Sequence, residues 1–402
     1  MKYTTQKLYD LPEGNVQEDA PRRVARKKKP RRKWLWFTLV VLLILAGVAA
    51  AVLWDANSFD GLRRSIIYAR TEKDEMGIAK LYSYDSDEAR CFAPVGGSLA
   101  ILSEGRLQVL DEHSTVLYST AVHFFAPALV SGESCAVAYD IGGDELYVLT
   151  PAGLGWTKTM DGAVLEASVA PDGSIVVCHE VSGYKGAVTI YDGAGQPAFS
   201  FRSASRFVMT CALSRDGNTL AAVTMGQEQG MFESFLTLYR TNSEKPYATV
   251  SICDGLVYAL HRFEGGFCAA AEGGLYWFDK NGASLASYAF NGLFLRRCAV
   301  SEEGEFAAVL LSRYRTGSQT TLITVDGEGN ELGGADLDRE VLDMSVAGRY
   351  VAVLCTDRLV IYDKFLTELA SLPYVSQTRA VFMRNDGSAV LAGAATAGLY
   401  LP

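Results

Sequence analysis

The sequence has few of the residues from which most enzymes build their sites. It contains only four histidines, and no two of them stand at a metal-ligand spacing such as HxxxH: His113, His123, His179 and His261. The nucleophile motif GxSxG, the Walker A motif and a GxGxxG motif between a strand and a helix are all lacking. We therefore expect a protein that is not an enzyme and that has no cofactor and no metal site.

The eight cysteines form no CxxC pair, which removes the common zinc and thioredoxin-type motifs. Most of them lie inside apolar runs such as VVCHE and VLCTD, where a thiol is expected to act as a small buried hydrophobic group. An even number leaves disulfides open, and the sequence does not indicate which cysteines would pair.

Charge is distributed unevenly along the chain. Residues 1–33 carry eleven Lys and Arg against four Asp and Glu, whereas residues 34–402 carry 26 against 42. Between these parts, WLWFTLVVLLILAGVAAAVLW has no charge over 21 residues, which is about 31 Å of helix and enough to cross a bilayer core. Nine Lys and Arg precede it in residues 22–33. The positive-inside rule then places the N-terminus in the cytoplasm.

Four parts follow from this pattern. We predict a disordered basic cytoplasmic tail over 1–33, a transmembrane helix over 34–54, a spacer over 55–76 and an extracytoplasmic domain over 77–402. A cleaved signal peptide is the alternative, but its apolar region is typically only about 7–15 residues long. We expect a single-pass protein of the cytoplasmic membrane. No nucleic-acid partner is expected, because the basic run directly precedes the span.

Helical periodicity is lacking beyond this span, and a repeat takes its place. One marker is a turn glycine that returns every 35 to 49 residues: Gly97, Gly132, Gly173, Gly217, Gly266, Gly304, Gly348 and Gly387. The other is an alternating run that ends in a turn: LQVLD, LYVLT, VTIYD, LTLYR, LYWFD, LITVD, LVIYD and LYLP. Two markers in step at a period near 40 residues are typical of four-stranded propeller blades.

Eight copies predict an all-β fold, an eight-bladed β-propeller preceded by one transmembrane helix. Seven blades are the alternative, because the first two glycine turns are irregular. The last unit ends without a fourth strand, and GIAKLYSYD, residues 77–85, precedes the first unit. We predict that this segment supplies the missing strand and so removes an exposed sheet edge.

The motifs APDGSIVV and SRDGNTLAAV resemble the repeats of WD40-like and related bacterial propellers, and the resemblance covers residues 77–402. The layout of basic tail, single span and divergent propeller resembles uncharacterised membrane-anchored propeller proteins of Gram-positive bacteria that carry a domain of unknown function. This resemblance implies a fold and no particular activity.

One face of the predicted disc carries its long links. The segments EVSGYKGA, MGQEQGMFESF and SRYRTGSQT join the second and third strands of their units, and long links on one face commonly form the binding surface of a repeat protein. We predict a partner-binding face made by aromatic and cationic side chains: Tyr184, Lys185, Phe232, Arg313, Tyr314 and Arg315. Tolerated insertions without a function are the alternative.

A central channel is a second candidate. Counting back seven residues from three of the turn glycines gives Glu166, Thr210 and Arg297 in equivalent places on the first strands. These polar groups would face the channel, where they either hold a small ligand or are simply hydrated. The acidic runs YDSDEAR and DGEGNE suit calcium in composition, although solvated turns account for them more simply.

These features favour a non-catalytic scaffold or sensor at the cell envelope that binds a protein partner. The alternative is a propeller lectin or enzyme that acts on cell-wall polymers. The sequence does not set the oligomeric state.

Overall fold

The computed structural model describes residues 36–45, 68, 72–84, 91–103, 105–228, 230–301, 303, 306–317, 319–375 and 377–402. The chain divides into two compact units, Met1–Phe59 and Asp60–Pro402. In the first unit, residues 36–45 form a helix, α1, whose side chains are almost all exposed. Within the described residues, no helix has the length and apolar character needed to cross a membrane. The rest of the predicted span and the predicted tail lie outside the described residues.

The second unit consists of eight sheets, each of four antiparallel strands. Blade 1 is β2 (Cys91–Val95), β3 (Ser98–Leu102), β4 (Arg106–Leu110) and β5 (Val116–Ala121). Blade 2 is β6 (Pro127–Ser131), β7 (Ala136–Asp140), β8 (Glu145–Thr150) and β9 (Gly153–Thr159). Blade 3 is β10 (Val164–Val169), β11 (Ile175–His179), β12 (Gly186–Tyr191) and β13 (Pro197–Ser203). Blade 4 is β14 (Phe207–Leu213), β15 (Thr219–Glu228), β16 (Met231–Arg240) and β17 (Pro246–Asp254).

The other four blades follow the same order. Blade 5 is β18 (Val257–Phe263), β19 (Gly266–Ala271), β20 (Gly274–Asp279) and β21 (Ser284–Ala289). Blade 6 is β22 (Phe294–Val300), β23 (Phe306–Ser312), β24 (Thr320–Asp326) and β25 (Glu331–Leu337). Blade 7 is β26 (Val341–Ala347), β27 (Tyr350–Cys355), β28 (Arg358–Asp363) and β29 (Glu368–Pro373). Blade 8 is β30 (Thr378–Met383), β31 (Ala389–Gly393), β32 (Thr396–Tyr400) and β1 (Ile78–Ser83).

Blade 8 closes the ring as predicted. Strand β1 comes from the N-terminal side of the domain and pairs with β32 from Ile78↔Tyr400 to Ser83↔Thr396. Contacts between the first strands of neighbouring blades, including β30 with β2, make these strands the innermost ones. The eight-bladed prediction is thus confirmed over the seven-bladed alternative.

The four strands of a blade are named a to d from the channel outwards. Because they alternate in direction, the a–b and c–d turns lie on one side of the disc, called the turn face. The b–c and d–a links lie on the other side, called the loop face. The chain reaches β1 on the turn face, where Tyr68 donates a hydrogen bond to Asp386 in the a–b turn of blade 8. Its ring also packs against Leu399 and Leu401.

The recurring acidic residues have a structural role in the turns. At five c–d turns the Asp that ends strand c accepts hydrogen bonds through Oδ1 from the backbone N–H groups two and four residues later: Asp111, Asp192, Asp279, Asp326 and Asp363. These bonds satisfy donors that a turn leaves unpaired. At the a–b turns, glycines such as Gly173 and Gly217 adopt positive φ values of 84° and 70°, which favour residues without a Cβ. Gly304 lies outside the described residues.

The core lies between the blades. Strand b is buried along its whole length in most blades, as in β11 and β27, because it is covered by the neighbouring sheets on both faces. The outermost strands alternate instead between exposed and partly buried positions, as in β21. Between blades 5 and 6, Trp277 and Phe290 are fully buried. Blade-to-blade packing therefore holds the loop face and the channel in place.

Candidate functional site

The three links that the sequence singled out lie on the loop face. Residues 180–185 form a turn between β11 and β12, and the residues described between β23 and β24 form a loop. The segment MGQEQGMFESF is not a loop, since β15 and β16, ten residues each, extend through it as a hairpin. In that hairpin Phe232 pairs with Gln227. Its alternating polar residues continue the ladder beyond the blade, so a strand extension replaces the predicted loop.

Aromatic rings and cations gather where blade 3 meets blade 4. The Lys185 ammonium lies 4.6 Å from the ring centroid of Phe207, and the Arg206 guanidinium lies 3.7 Å from that of Phe235. Arg206 also pairs with Glu228 of the hairpin at 2.6 Å. Cation–π contacts of this kind hold the rings in place; Phe207 stays 47% exposed, whereas Phe235 is buried beneath the surface. We call this surface, formed by Tyr184, Lys185, Phe207, Met231 and Phe232, the aromatic patch.

The blade 6 loop forms a second group, separated from the aromatic patch by blade 5. Arg315 lies 5.2 Å from the ring centroid of Phe294 and 3.9 Å from the Glu272 carboxylate of blade 5. The Ser312 hydroxyl donates a hydrogen bond to the Tyr314 carbonyl, while the Tyr314 ring is 72% exposed. The structure therefore places all six predicted residues on one face and divides them between two groups.

The loop face also carries exposed aromatic rings outside its b–c links. Phe125 and Tyr374 are 95% and 85% exposed and lie in d–a links, which the sequence reasoning did not consider. Among the described residues, six exposed rings lie on this face: Phe125, Tyr184, Phe207, Phe232, Tyr314 and Tyr374; Tyr258, near the start of the innermost strand of blade 5, is a seventh exposed ring at its edge. On the turn-face side, two rings of the described residues are exposed: Phe365 in a c–d turn, and Tyr247 near the start of strand d of blade 4, whose hydroxyl donates to the Lys280 carbonyl in the c–d turn of blade 5. The two faces therefore differ in chemistry as well as in loop length.

The channel candidates occupy equivalent positions on the innermost strands. Strand a carries a β-bulge in blades 3 to 8, and Glu166, Thr210 and Arg297 each follow the bulge in their blade. The other three blades have Ala259, Asp343 and Ala380 at this position. Bulges re-aim the side chains beside them, which brings this ring of positions to the channel wall.

Neighbouring members of this ring interact. Arg297 Nη1 lies 3.2 Å from Asp343 Oδ1, and Arg297 also donates to the Leu342 carbonyl. Burial raises the pKa of Asp343, although the Val381 N–H and Arg297 oppose this shift. Counting seven residues back from the turn glycine did not find Asp343, because blade 7 has a two-residue a–b turn. Counting seven residues back from Gly348 stops at Val341, two positions too early.

A cavity of about 260 Å³ opens along the channel wall between blades 2 and 6. Glu166, Cys211 and His261 line it. Arg262 reaches from blade 5 to donate a 2.9 Å hydrogen bond to the Val169 carbonyl of blade 3. Burial raises the pKa of Glu166 and lowers the pKa of His261 to about 4, so that the imidazole is neutral at pH 7. The cavity is thus lined by a carboxyl whose pKa is raised and by a neutral imidazole, and its volume lies just below the roughly 300 Å³ at which ligand pockets begin.

The structure does not support a calcium site at DGEGNE. Asp326 Oδ1 accepts the N–H groups of Glu328 and Asn330, and Oδ2 accepts the side-chain amide of Asn330. These bonds occupy the carboxylate in its own turn. YDSDEAR lies largely outside the described residues.

Eight radially arranged four-stranded sheets, closed by an N-terminal strand, define a WD40-like β-propeller. The chain belongs to the Family of unknown function (DUF5711), whose family model matches residues 70–388. No curated protein matches the sequence.

Several solved β-propellers are similar to this chain. BamB from Moraxella catarrhalis is 13% identical with a TM-score of 0.55, over 80% of this chain and 98% of that one. The C-terminal WD40 domain of Sif2 has the same identity and TM-score over 80% and 97%, and the Dos1 propeller is 12% identical with a TM-score of 0.58 over 80% and 93%. At such identities the likeness concerns the fold alone.

Proposed function

We propose that this protein is a non-catalytic interaction scaffold, anchored in the cytoplasmic membrane by residues 34–54, whose propeller binds an envelope protein through its loop face. The carrying observation is the concentration of exposed aromatic rings on that face. Soluble surfaces rarely cluster large apolar groups without a partner, and aromatic residues and Arg are enriched at protein interfaces.

The charges suggest the chemistry of the partner. Lys185, Arg313 and Arg315 stand beside exposed rings in a region of the chain that is otherwise acidic, with 26 Lys and Arg against 42 Asp and Glu over residues 34–402. Cations beside rings favour a partner surface that presents carboxylates next to apolar groups. We therefore propose a protein partner with an acidic, partly apolar patch.

The anchor and the orientation are part of the same proposal. Nine Lys and Arg before the apolar segment support a cytoplasmic N-terminus and an extracytoplasmic propeller. Residues 36–45 of this segment are helical and expose Leu42, Leu43 and Ile44, as a lipid-facing helix does.

Phe232→Ala combined with Tyr314→Ala should remove the partner. Truncating two exposed rings takes away anchor contacts of both groups on the loop face, and we expect crosslinked partner recovered from intact cells to fall at least roughly tenfold. The full-length chain is expressed in its own membrane, crosslinked in the cells and purified from detergent, and the captured proteins are quantified by mass spectrometry.

The matched control is Phe365→Ala combined with Tyr247→Ala, two exposed rings away from the loop face. This control should leave capture unchanged. Equal losses in both double variants, or no loss in the first, would contradict the assignment of the face. Capture of wall glycan in place of a protein would favour the lectin alternative.

A further inference from the structure

Three potential metal ligands converge between blades 3 and 4, beside the channel cavity. Glu166 on β10 pairs directly with Cys178 on β11, and Cys211 follows Thr210 on the neighbouring β14. The carboxylate oxygen and both sulfur atoms lie within 4.8 Å of one another. Both cysteines are buried, with 0% and 2% exposure. No spacing in the sequence indicates this cluster, because its members come from three strands.

The polar atoms of this cluster are poorly satisfied. Glu166 Oε2 and Thr210 Oγ1 are both shielded from solvent and make no hydrogen bond of ordinary geometry, although the Thr210 hydroxyl and the Cys211 N–H stand close enough to the Glu166 carboxyl to oppose the rise of its pKa by burial. An unsatisfied buried polar atom costs about 1–3 kcal/mol, and native proteins retain few of them. A cation held by the carboxylate would satisfy Oε2. The cluster therefore has the character of a site that is completed by a ligand.

The sulfur atoms are too far apart for a disulfide and closer than two packed thiols. Cys178 Sγ and Cys211 Sγ are 2.8 Å apart, whereas a disulfide bond is about 2.0 Å long. Sulfur atoms bound to a tetrahedral Zn²⁺ lie about 3.7 Å apart, given Zn–S distances of about 2.3 Å. To bind Zn²⁺, the two sulfur atoms would therefore have to move apart by about 0.9 Å.

We propose that Glu166, Cys178 and Cys211 bind a single thiophilic divalent metal ion, for which Zn²⁺ is the physiological candidate. Two thiolates and one carboxylate suit Zn²⁺ and exclude Mg²⁺ and Ca²⁺, which take oxygen ligands. On binding, the two thiols release their protons to solvent. The ion would join strands of blades 3 and 4, and its fourth position would open towards the cavity that His261 also lines.

A second cysteine pair in the molecule supplies a matched control. Cys298 on β22 occupies in blade 6 the position that Cys211 has in blade 4, one residue after the bulge position. It packs with Cys268 of blade 5 in a common apolar cluster. Ala259 stands there in the place of Glu166. This pair offers two thiols without a carboxylate and should not hold the ion.

The test uses the full-length protein in detergent, stripped with a chelator under reducing conditions and titrated with Zn²⁺ or Co²⁺. We expect one Zn²⁺ per chain and, with Co²⁺, the near-ultraviolet absorption band of a thiolate complex. Cys178→Ser combined with Cys211→Ser should abolish the band and weaken Zn²⁺ binding more than roughly 100-fold. Glu166→Gln should retain the band and weaken binding roughly tenfold. Removing a residue that only orients a metal ligand typically weakens metal binding about 10- to 100-fold. The loss of a ligand itself should be at least as large.

Cys268→Ser combined with Cys298→Ser should bind Zn²⁺ as the wild type does. The proposal is overturned if the wild type shows no thiolate band with Co²⁺, which is a result that needs no variant to fold. It is also overturned if the first double variant keeps the wild-type affinity, or if peptide mass spectrometry of protein purified without reductant finds Cys178 joined to Cys211 in a disulfide.

Discussion

A chain that begins at residue 85 is expected to lose at least about 4 kcal/mol of stability relative to a chain that begins at Asp60. The shorter chain lacks β1, so that β32 becomes an open edge and the ring is no longer closed by pairing from both ends of the domain. The estimate combines burial of Tyr82, worth about 1.5–3 kcal/mol, with several ladder hydrogen bonds of about 1 kcal/mol each. Tyr82 is 6% exposed and donates a 2.9 Å hydrogen bond to Gly97 of blade 1. Urea unfolding followed by circular dichroism measures the difference.

The chain from Asp60 keeps every described contact of the propeller unit and is therefore the matched reference. Tyr68→Phe in this longer chain should cost only about 1 kcal/mol, because it removes the hydrogen bond to Asp386 and leaves β1 in place. A synthetic peptide of residues 68–84 should restore part of the lost stability when added to the shorter chain. Equal urea midpoints for the two chains would show that strand β1 does not hold the ring closed.

The fold could be predicted from the sequence because each blade repeats two local signals. The Asp-Gly turn in LSRDGNTLAAV needs a residue with positive φ, and the run VTIYD ends in an Asp that caps its own turn. Both signals depend on residues a few positions apart, which a single sequence shows directly. The missing fourth strand of the last unit then predicted β1, since an open edge had to be paired.

The sites depend on contacts between blades, and these are hidden from local patterns. The counting rule found Glu166 and Thr210 because both blades have a–b turns of equal length, and it missed Asp343 because blade 7 has a shorter turn. The cluster of Glu166 with Cys178 and Cys211 joins residues on two blades. It has no spacing that a motif could record. The expectation of a protein without a metal site followed from motifs alone.

The loop face shows the same limit in a different form. Loop length drew attention to Tyr184, Phe232 and Tyr314, whereas Phe125 and Tyr374 lie in short d–a links. Their exposure depends on whether neighbouring blades cover them, which follows from the ring and not from the residues on either side. A rule that included every link on one face would have found them.

Acid should destabilise the propeller through His261, by up to roughly 3 kcal/mol between pH 7 and pH 4. Burial, assisted by the nearby Arg262 charge, lowers the pKa of His261 from 6.5 to about 4. The folded state therefore keeps the imidazole neutral while the unfolded chain takes up a proton as the pH falls below 6.5, so that stability is present above pH 6.5 and is lost towards pH 4. A pKa lower by about 2.5 corresponds to about 3.4 kcal/mol in full, of which roughly 3 kcal/mol is lost by pH 4, and partial access of the side chain to the channel makes this an upper value.

The variant His261→Leu isolates this effect, because leucine is apolar, has a similar size and carries no titrating group. Glu166 lines the same cavity and acts in the opposite direction, because burial raises the pKa of its carboxyl and the folded state then gains stability as that group is protonated. Both proteins retain Glu166, so its contribution cancels in the difference. Urea unfolding of metal-free protein at pH 7, 6, 5 and 4 should show a smaller fall in stability for His261→Leu. Parallel curves for the two proteins would mean that His261 is protonated as readily in the folded propeller as in the unfolded chain.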